Sequence, residues 1–147
     1  MKETPHTRRD YRWFTPMPTR WADNDVYGHV NNTAYYGFFD TAVNRFLIAE
    51  KALDIENGDQ IGLVVQTACH YFAPLSFPDI LNIGVRADRV GNSSVVYGLG
   101  VFGPDQDVAS AQGQFVHVYV DRQSRKPKPL NETLRRAVMS IKGEEQP

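Results

Sequence analysis

Two periodicities divide this chain. Over residues 34–53, AYYGFFDTAVNRFLIAEKAL, the apolar residues Tyr35, Phe39, Ala42, Phe46, Ala49 and Leu53 recur at helical spacing. Tyr36, Phe38, Val43 and Leu47 widen that face, and few positions, among them Asp40, Asn44 and Arg45, are strongly polar. A helix so apolar in its first half is expected to be largely buried. Asn31, Asn32 and Thr33 stand where capping residues belong.

From residue 61 onward the pattern is that of strands. GLVVQTACHYF, DILNIGVRADRV, SSVVYGLGVFG and DVASAQGQFVHVYVD are separated by PLSFP, GNS and GPDQ, and the last two breaks suit hairpin turns. Along QFVHVYV, Phe115, His117 and Tyr119 point one way and Val116, Val118 and Val120 the other. Ahead of the helix, Tyr11 to Arg20 reads as a strand interrupted by Pro16 and Pro18, which argues for an edge position. ENGDQ is a turn-rich break, RQSRKPKP ends the sheet, and NETLRRAVMSIK reads as a closing helix. Residues 1–10 are polar and are expected to be loose. The prediction is one α+β domain over residues 1–147, with about five mostly antiparallel strands against one long helix. A single helix leaves a face and an edge of such a sheet uncovered, and dimerisation would cover them.

Charge and composition narrow the partners. The formal charge of −1 on 147 residues gives no pervasive basic character for nucleic acid or an anionic membrane. A single cysteine, Cys69, allows no intrachain disulfide. No run approaches the roughly 18 apolar residues of a membrane span, and MKETPHTRRDYRWF lacks the apolar core of a secretion signal. The expectation is a cytoplasmic protein.

The chemistry concentrates before the helix. RWADNDVYGHVNNTAYYGFFDTA resembles the motif of hotdog-fold thioesterases of the 4-hydroxybenzoyl-CoA thioesterase type, which place D-x-D-x-x-G-H-V-N-N-x-x-Y directly before the central helix. ACHYFAPLSFPDILNIGVRADRVGNSSVVY and A-x-G-Q-F-V-H-V-Y-V-D are similar to later strands of that family, so the resemblance runs from about Tyr11 to Ile141. It implies a curved antiparallel sheet of about five strands wrapped around the helix, and dimers, or tetramers built from them, that form a continuous sheet with active sites at the subunit interface. It implies an acyl-CoA substrate hydrolysed to acid and CoA without a further cofactor. Asp25 would be catalytic, the backbone N–H of Asn32 would hold the thioester carbonyl, and His29 would support the site. His-Val-Asn-Asn departs from the benzoyl-specific branch and is closer to the fatty acyl-CoA and acyl-carrier-protein branches.

The residues themselves make this chemistry reasonable. A carboxylate can act as base or nucleophile on a thioester. A helix start offers unpaired N–H groups and the positive end of the dipole to a developing oxyanion. Local sequence leaves Asp25 open between this role and an ordinary turn-stabilising one. Asp23 reads as a structural partner of Arg20. Gly28, Thr33 and Tyr35 flank the candidate site and are assigned to substrate contact, with Tyr35 otherwise a core residue. The phosphates of coenzyme A need cations or N–H donors. Arg89 with Ser93 and Ser94 loosely matches the family's phosphate region, although Gly91 and Asn92 stand where arginines are expected. Lys126 and Lys128, with Arg122 and Arg125, are a second candidate that reads equally as a solvated basic turn. Cys69 and His70 are neighbours on a strand and point to opposite faces, which disfavours a nucleophile–base pair. His70 and His117 lack metal-ligand spacing, so no metal is expected. Two alternatives stay open: a hotdog hydratase or dehydratase, and a non-catalytic acyl-binding module.

Overall fold

A computed structural model describes residues 3–143. Five antiparallel strands form one sheet: β1 (Trp13–Pro18), β2 (Gln60–Tyr71), β3 (Ile80–Val90), β4 (Ser94–Phe102) and β5 (Ala111–Asp121), in the order β1-β3-β4-β5-β2. Helix α1 (Asn32–Ala49) lies across one face, and α2 (Glu132–Ser140) closes the described chain. This is the α+β hotdog arrangement that the sequence predicts.

Period-2 patterning decides which strand residues meet α1. Ile83, Val85 and Ala87 of β3 and Val95, Tyr97, Leu99 and Val101 of β4 are wholly buried with Phe39, Ala42, Val43 and Phe46 of the helix. Gly113 lies under the helix because a Cβ there would stand 2.8 Å from the ring of Phe39. Tyr36 and Ile48, part of the wide apolar stripe, stay exposed. The helix also stops short of Leu53. Lys51 adopts φ 55°, its N–H donates to Ile48 O at 3.0 Å and Ala52 N–H donates to Leu47 O at 2.8 Å, a left-handed C-terminal motif made without glycine. The apolar stripe of α2, Leu134, Ala137 and Val138, joins the same core.

The N-terminal segment corrects an expectation. From Thr4 on it is tied down and not loose, while residues 1 and 2 lie outside the described residues. His6 N–H donates to Gln112 Oε1 at 2.6 Å, Arg8 N–H donates to Asp107 O at 3.1 Å, and Gln112 Nε2 donates to Thr4 O at 2.9 Å. The segment then lays the ring of Tyr11 on the outer face of the sheet over Gly84 and Gly100, where any Cβ would collide with it. Polarity misleads here because the segment is held mainly by hydrogen bonds.

The two sheet edges differ. At β1, Arg45 of α1 donates to Pro16 O at 2.6 Å and to Thr15 Oγ1 at 3.1 Å. At β2 the middle of the strand is uncovered: Leu63, Val64 and Val65 are exposed, beside an irregularity between Val64 and Gln66.

Candidate active site

The stretch between β1 and α1 folds into a loop closed at its neck. Trp21–Asp23 makes a 3-10 turn whose last residue bonds back to its first flank. The Asp23 carboxylate is 5 % exposed and accepts from Arg20 N–H at 2.7 Å and from the Arg20 guanidinium at 3.0 Å. The expected Arg20–Asp23 pairing is therefore present. Asn31 N–H donates to Asp23 O at 2.7 Å and shuts the neck.

Asp25 begins a tight turn inside that loop. Its Oδ1 accepts from Tyr27 N–H at 2.9 Å and His29 N–H at 3.3 Å, its own N–H donates to His29 O at 2.8 Å, and Gly28 N–H donates to Asp25 O at 3.1 Å. Gly28 sits at φ 77°, a left-handed conformation that glycine adopts without strain. Oδ2 of Asp25 has no partner among the described residues, and the side chain is half-buried. The two readings of Asp25 are thus compatible: one oxygen holds the turn and the other is free. The His29 imidazole is exposed, and no hydrogen bond or ion pair engages it among the described residues.

The helix start follows at once. Asn31 is the N-cap, and its Oδ1 accepts from both Thr33 N–H and Thr33 Oγ1 at 3.0 Å. Asn32 is the first helical residue, so its N–H has no intrahelical acceptor. Among the described residues it has no other acceptor either, and Asn32 is exposed. Eighteen helical residues stand behind this N–H and favour negative charge beside it. Tyr35, on the first turn, is buried, and burial pushes its hydroxyl up to about 12. A cleft of about 480 Å³ runs along the helix beside the loop, lined by Met17, Arg20, Asn31, Thr33, Gly37 and Phe38.

Sequence reasoning missed the segment that holds this junction. Tyr71, the last residue of β2, donates its hydroxyl to Asn32 O at 3.1 Å. Leu75 O accepts from Val30 N–H at 2.7 Å, Ser76 Oγ donates to Gly28 O at 2.9 Å, and Phe77 N–H donates to Asn24 Oδ1 at 3.1 Å. These contacts join residues far apart in the chain, and only the YFAPLSFP break itself hints at them.

The phosphate candidates lie elsewhere in the chain. Ser93 O accepts from Tyr119 N–H at 2.7 Å and Lys128 N–H donates to Tyr119 O at 3.0 Å, so the two basic regions are neighbours. Arg89 is exposed near the end of β3, whereas the Asp25 loop abuts the start of that strand, where Thr19 N–H donates to Asp79 O at 3.1 Å. At about 3.4 Å per strand residue, Ile80 and Arg89 are roughly 30 Å apart. One chain does not bring Arg89, Ser93, Ser94, Lys126 or Lys128 to Asp25. Lys128 is also engaged, with Asp59 Oδ2 at 2.9 Å.

The remaining reactive side chains are separated. Cys69 packs toward the core, where burial pushes its thiol up to about 11, while His70 lies on the opposite face, 4.0 Å from Glu3. His117 is 5 % exposed, and burial pushes its imidazole down to about 4. No metal-binding cluster of His, Cys, Asp and Glu occurs among the described residues, and no described helix is long and apolar enough to cross a membrane.

The five-stranded antiparallel sheet with α1 across one face is the hotdog frame. The chain belongs to the thioesterase-like superfamily, whose family model matches residues 19–138. The crystal structure of the PA5185 protein from Pseudomonas aeruginosa strain PAO1 is 49 % identical, with a TM-score of 0.93 over 97 % of this chain and 99 % of that one. Slr0204 of Synechocystis, a 1,4-dihydroxy-2-naphthoyl-CoA thioesterase, shares the fold at 21 % identity and a TM-score of 0.77, over 86 % of this chain and 94 % of that one. The DHNA-CoA thioesterase of Staphylococcus aureus does so at 17 % identity and 0.75, over 86 % of each chain. No curated protein sequence matches significantly.

Proposed function

We propose that this protein hydrolyses acyl-CoA thioesters, with Asp25 as general base or nucleophile and the Asn32 N–H as oxyanion donor. The observation that carries the reading is the unpaired Asn32 N–H at the start of an 18-residue helix, next to a loop that leaves one Asp25 oxygen free. If Asp25 acts as base, it takes a proton from water as the water oxygen bonds to the carbonyl carbon. If it acts as nucleophile, its oxygen forms that bond and water later cleaves the anhydride. Either way the carbonyl electron pair moves onto oxygen, where the Asn32 N–H meets it. Collapse breaks the C–S bond, and the thiolate leaves and takes up a proton. An oxyanion donor of this kind has been worth roughly 10²–10³ in kcat in other enzymes.

A second copy completes the site in this proposal. Two β2 edges paired about a two-fold axis run antiparallel, so the Tyr71 end of one lies against the Gln60 end of the other. That places Arg89 and the Lys126 turn of the second copy at the end of the sheet where this chain holds Asp25. The exposed Leu63, Val64 and Val65 supply the apolar contact. A CoA thioester as substrate accords with the names of the Synechocystis and Staphylococcus relatives.

The hydratase alternative draws no such support. It asks for a carboxylate on α1 facing a histidine, and Asp40 is exposed and bonded to Asn44 at 3.1 Å, while Glu50 is already the C-cap. The decisive experiment is a panel of aliphatic and aromatic acyl-CoA and acyl-carrier-protein thioesters, followed by release of free thiol. Turnover of at least one CoA thioester well above the uncatalysed rate is expected. No hydrolysis of any member would overturn the reading.

A further inference from the structure

We infer that Tyr71 is a positioning residue, one that sets the Asn32 N–H in place through its hydroxyl. This deepens the proposed function and rests on it. Tyr71 grips the first turn of α1 at two points. Its hydroxyl donates to Asn32 O at 3.1 Å, and its ring meets the ring of Tyr35 edge-on, centroids 5.0 Å apart at 87°. In register it lies opposite Ala111, a wholly buried residue, so the backbone that carries Tyr71 is fixed by the β5 ladder. The carbonyl of Asn32 lies on the peptide plane it shares with Thr33, one plane beyond the Asn32 N–H, so the bond pins the first turn of α1 and acts on that N–H through the helical backbone of Asn32.

The bond is not needed to satisfy the helix. In an α-helix the carbonyl of the first residue already accepts from the N–H four residues on, so the Tyr71 hydroxyl is a second donor to a paired acceptor. Nor is Tyr71 simply core: it is 46 % exposed, at the end of an open edge. Its hydroxyl is pushed well above the usual tyrosine range by burial and by the neighbouring Cys69, so it remains a donor at any working pH. The same segment continues into Leu75, Ser76 and Phe77, which hold the Asp25 loop. The end of β2 and the loop after it therefore touch both the helix start and the Asp25 loop. A displacement of about 1 Å can cost on the order of 10²-fold in rate.

The test is Tyr71→Phe, which keeps the ring on Tyr35 and removes only the hydroxyl, assayed beside Asp25→Asn on the best acyl-CoA of the wild type. We expect kcat roughly tenfold lower with KM unchanged, as for an interaction felt in the transition state alone, and an unchanged melting temperature. Tyr71→Leu, which also drops the ring contact, should show the same kcat loss with a lower Tm. Wild-type kcat in Tyr71→Phe beside an inactive Asp25→Asn would overturn this inference and leave the thioesterase reading standing. Wild-type turnover in Asp25→Asn would strike the reading itself. A kcat loss in Tyr71→Phe matched by an equal rise in KM or by partial unfolding would make Tyr71 merely structural and also overturn the inference.

Discussion

The backbone N–H of Asn31 donates to the carbonyl oxygen of Asp23 at 2.7 Å, and this one bond closes the loop that carries Asp25. The two aspartates of the motif thereby divide the work. Asp23 faces inward and ties the neck, while Asp25 faces the turn and keeps an oxygen free.

The pair can be separated by substitution. Asp25→Asn retains an acceptor for the Tyr27 and His29 N–H groups but can neither take a proton at neutral pH nor attack as a carboxylate. It should melt like wild type and lose roughly 10²–10⁴-fold in kcat. Asp23→Ala leaves the Arg20 N–H without its buried acceptor and should cost about 1–3 kcal/mol of stability. The exposed half of the Arg20 ion pair contributes little to that figure. Steady-state assays and thermal melts of both variants check the contrast. A large melting loss in Asp25→Asn with intact turnover would reverse the assignment.

Assembly is the second expectation. Light scattering at micromolar concentration should give at least twice the mass of one chain. Val64→Lys/Val65→Lys places charge in the middle of the open β2 edge and should yield monomers that hydrolyse poorly. A fully active monomeric variant would exclude a site shared between copies.

The basic residues are expected to act on binding. Arg89→Ala and Lys126→Ala should each raise KM for a CoA substrate roughly tenfold, the equivalent of one charge-assisted hydrogen bond, with kcat little changed. Lys128→Ala should do less, since Lys128 is already paired with Asp59. Kinetics that match wild type in all three would remove both regions as phosphate sites.

His117 gives a pH signature. Its folded imidazole is pushed from 6.5 down to about 4 by burial, and its Nε2 has no partner among the described residues. Above pH 6.5 the side chain is neutral in both folded and unfolded chains and costs nothing. As pH falls from 6.5 to 4 only the unfolded chain takes up the proton, so stability declines by roughly 3 kcal/mol over that window. His117→Leu should flatten the decline in a series of denaturant melts. A smaller slope should remain from His6, also pushed down by burial and by Arg86. An unchanged slope in the variant would show that His117 does not cause it.

The sequence made some of this legible and hid the rest for physical reasons. The buried face of α1 and the strand runs are local patterns, so Phe39 and Phe46 could be placed in the core from the sequence alone. The end of α1 could not, because Lys51 turns the chain left-handed where a glycine would have announced it. Asp25 and the helix start adjoin in sequence, so the sequence could raise them together as candidates. Tyr71 and Ser76 come from more than 38 residues away, and no local pattern encodes such a meeting. Arg89 and Lys126 carry suitable chemistry, but residue type says nothing about which end of a strand lies beside which loop.

The prolines of β1 have a consequence beyond their own strand. Since β1 pairs with β3, the nitrogens of Pro16 and Pro18 must turn away from the ladder, and neither carries a hydrogen. The outward carbonyl of Pro16 is already taken by Arg45. Two nitrogens and one carbonyl of this border are thus withheld from an incoming strand, which makes it a poor second seam for a chain that joins others through β2. Under the proposed β2 pairing, strand-to-strand growth would stop at two copies, short of a fibre.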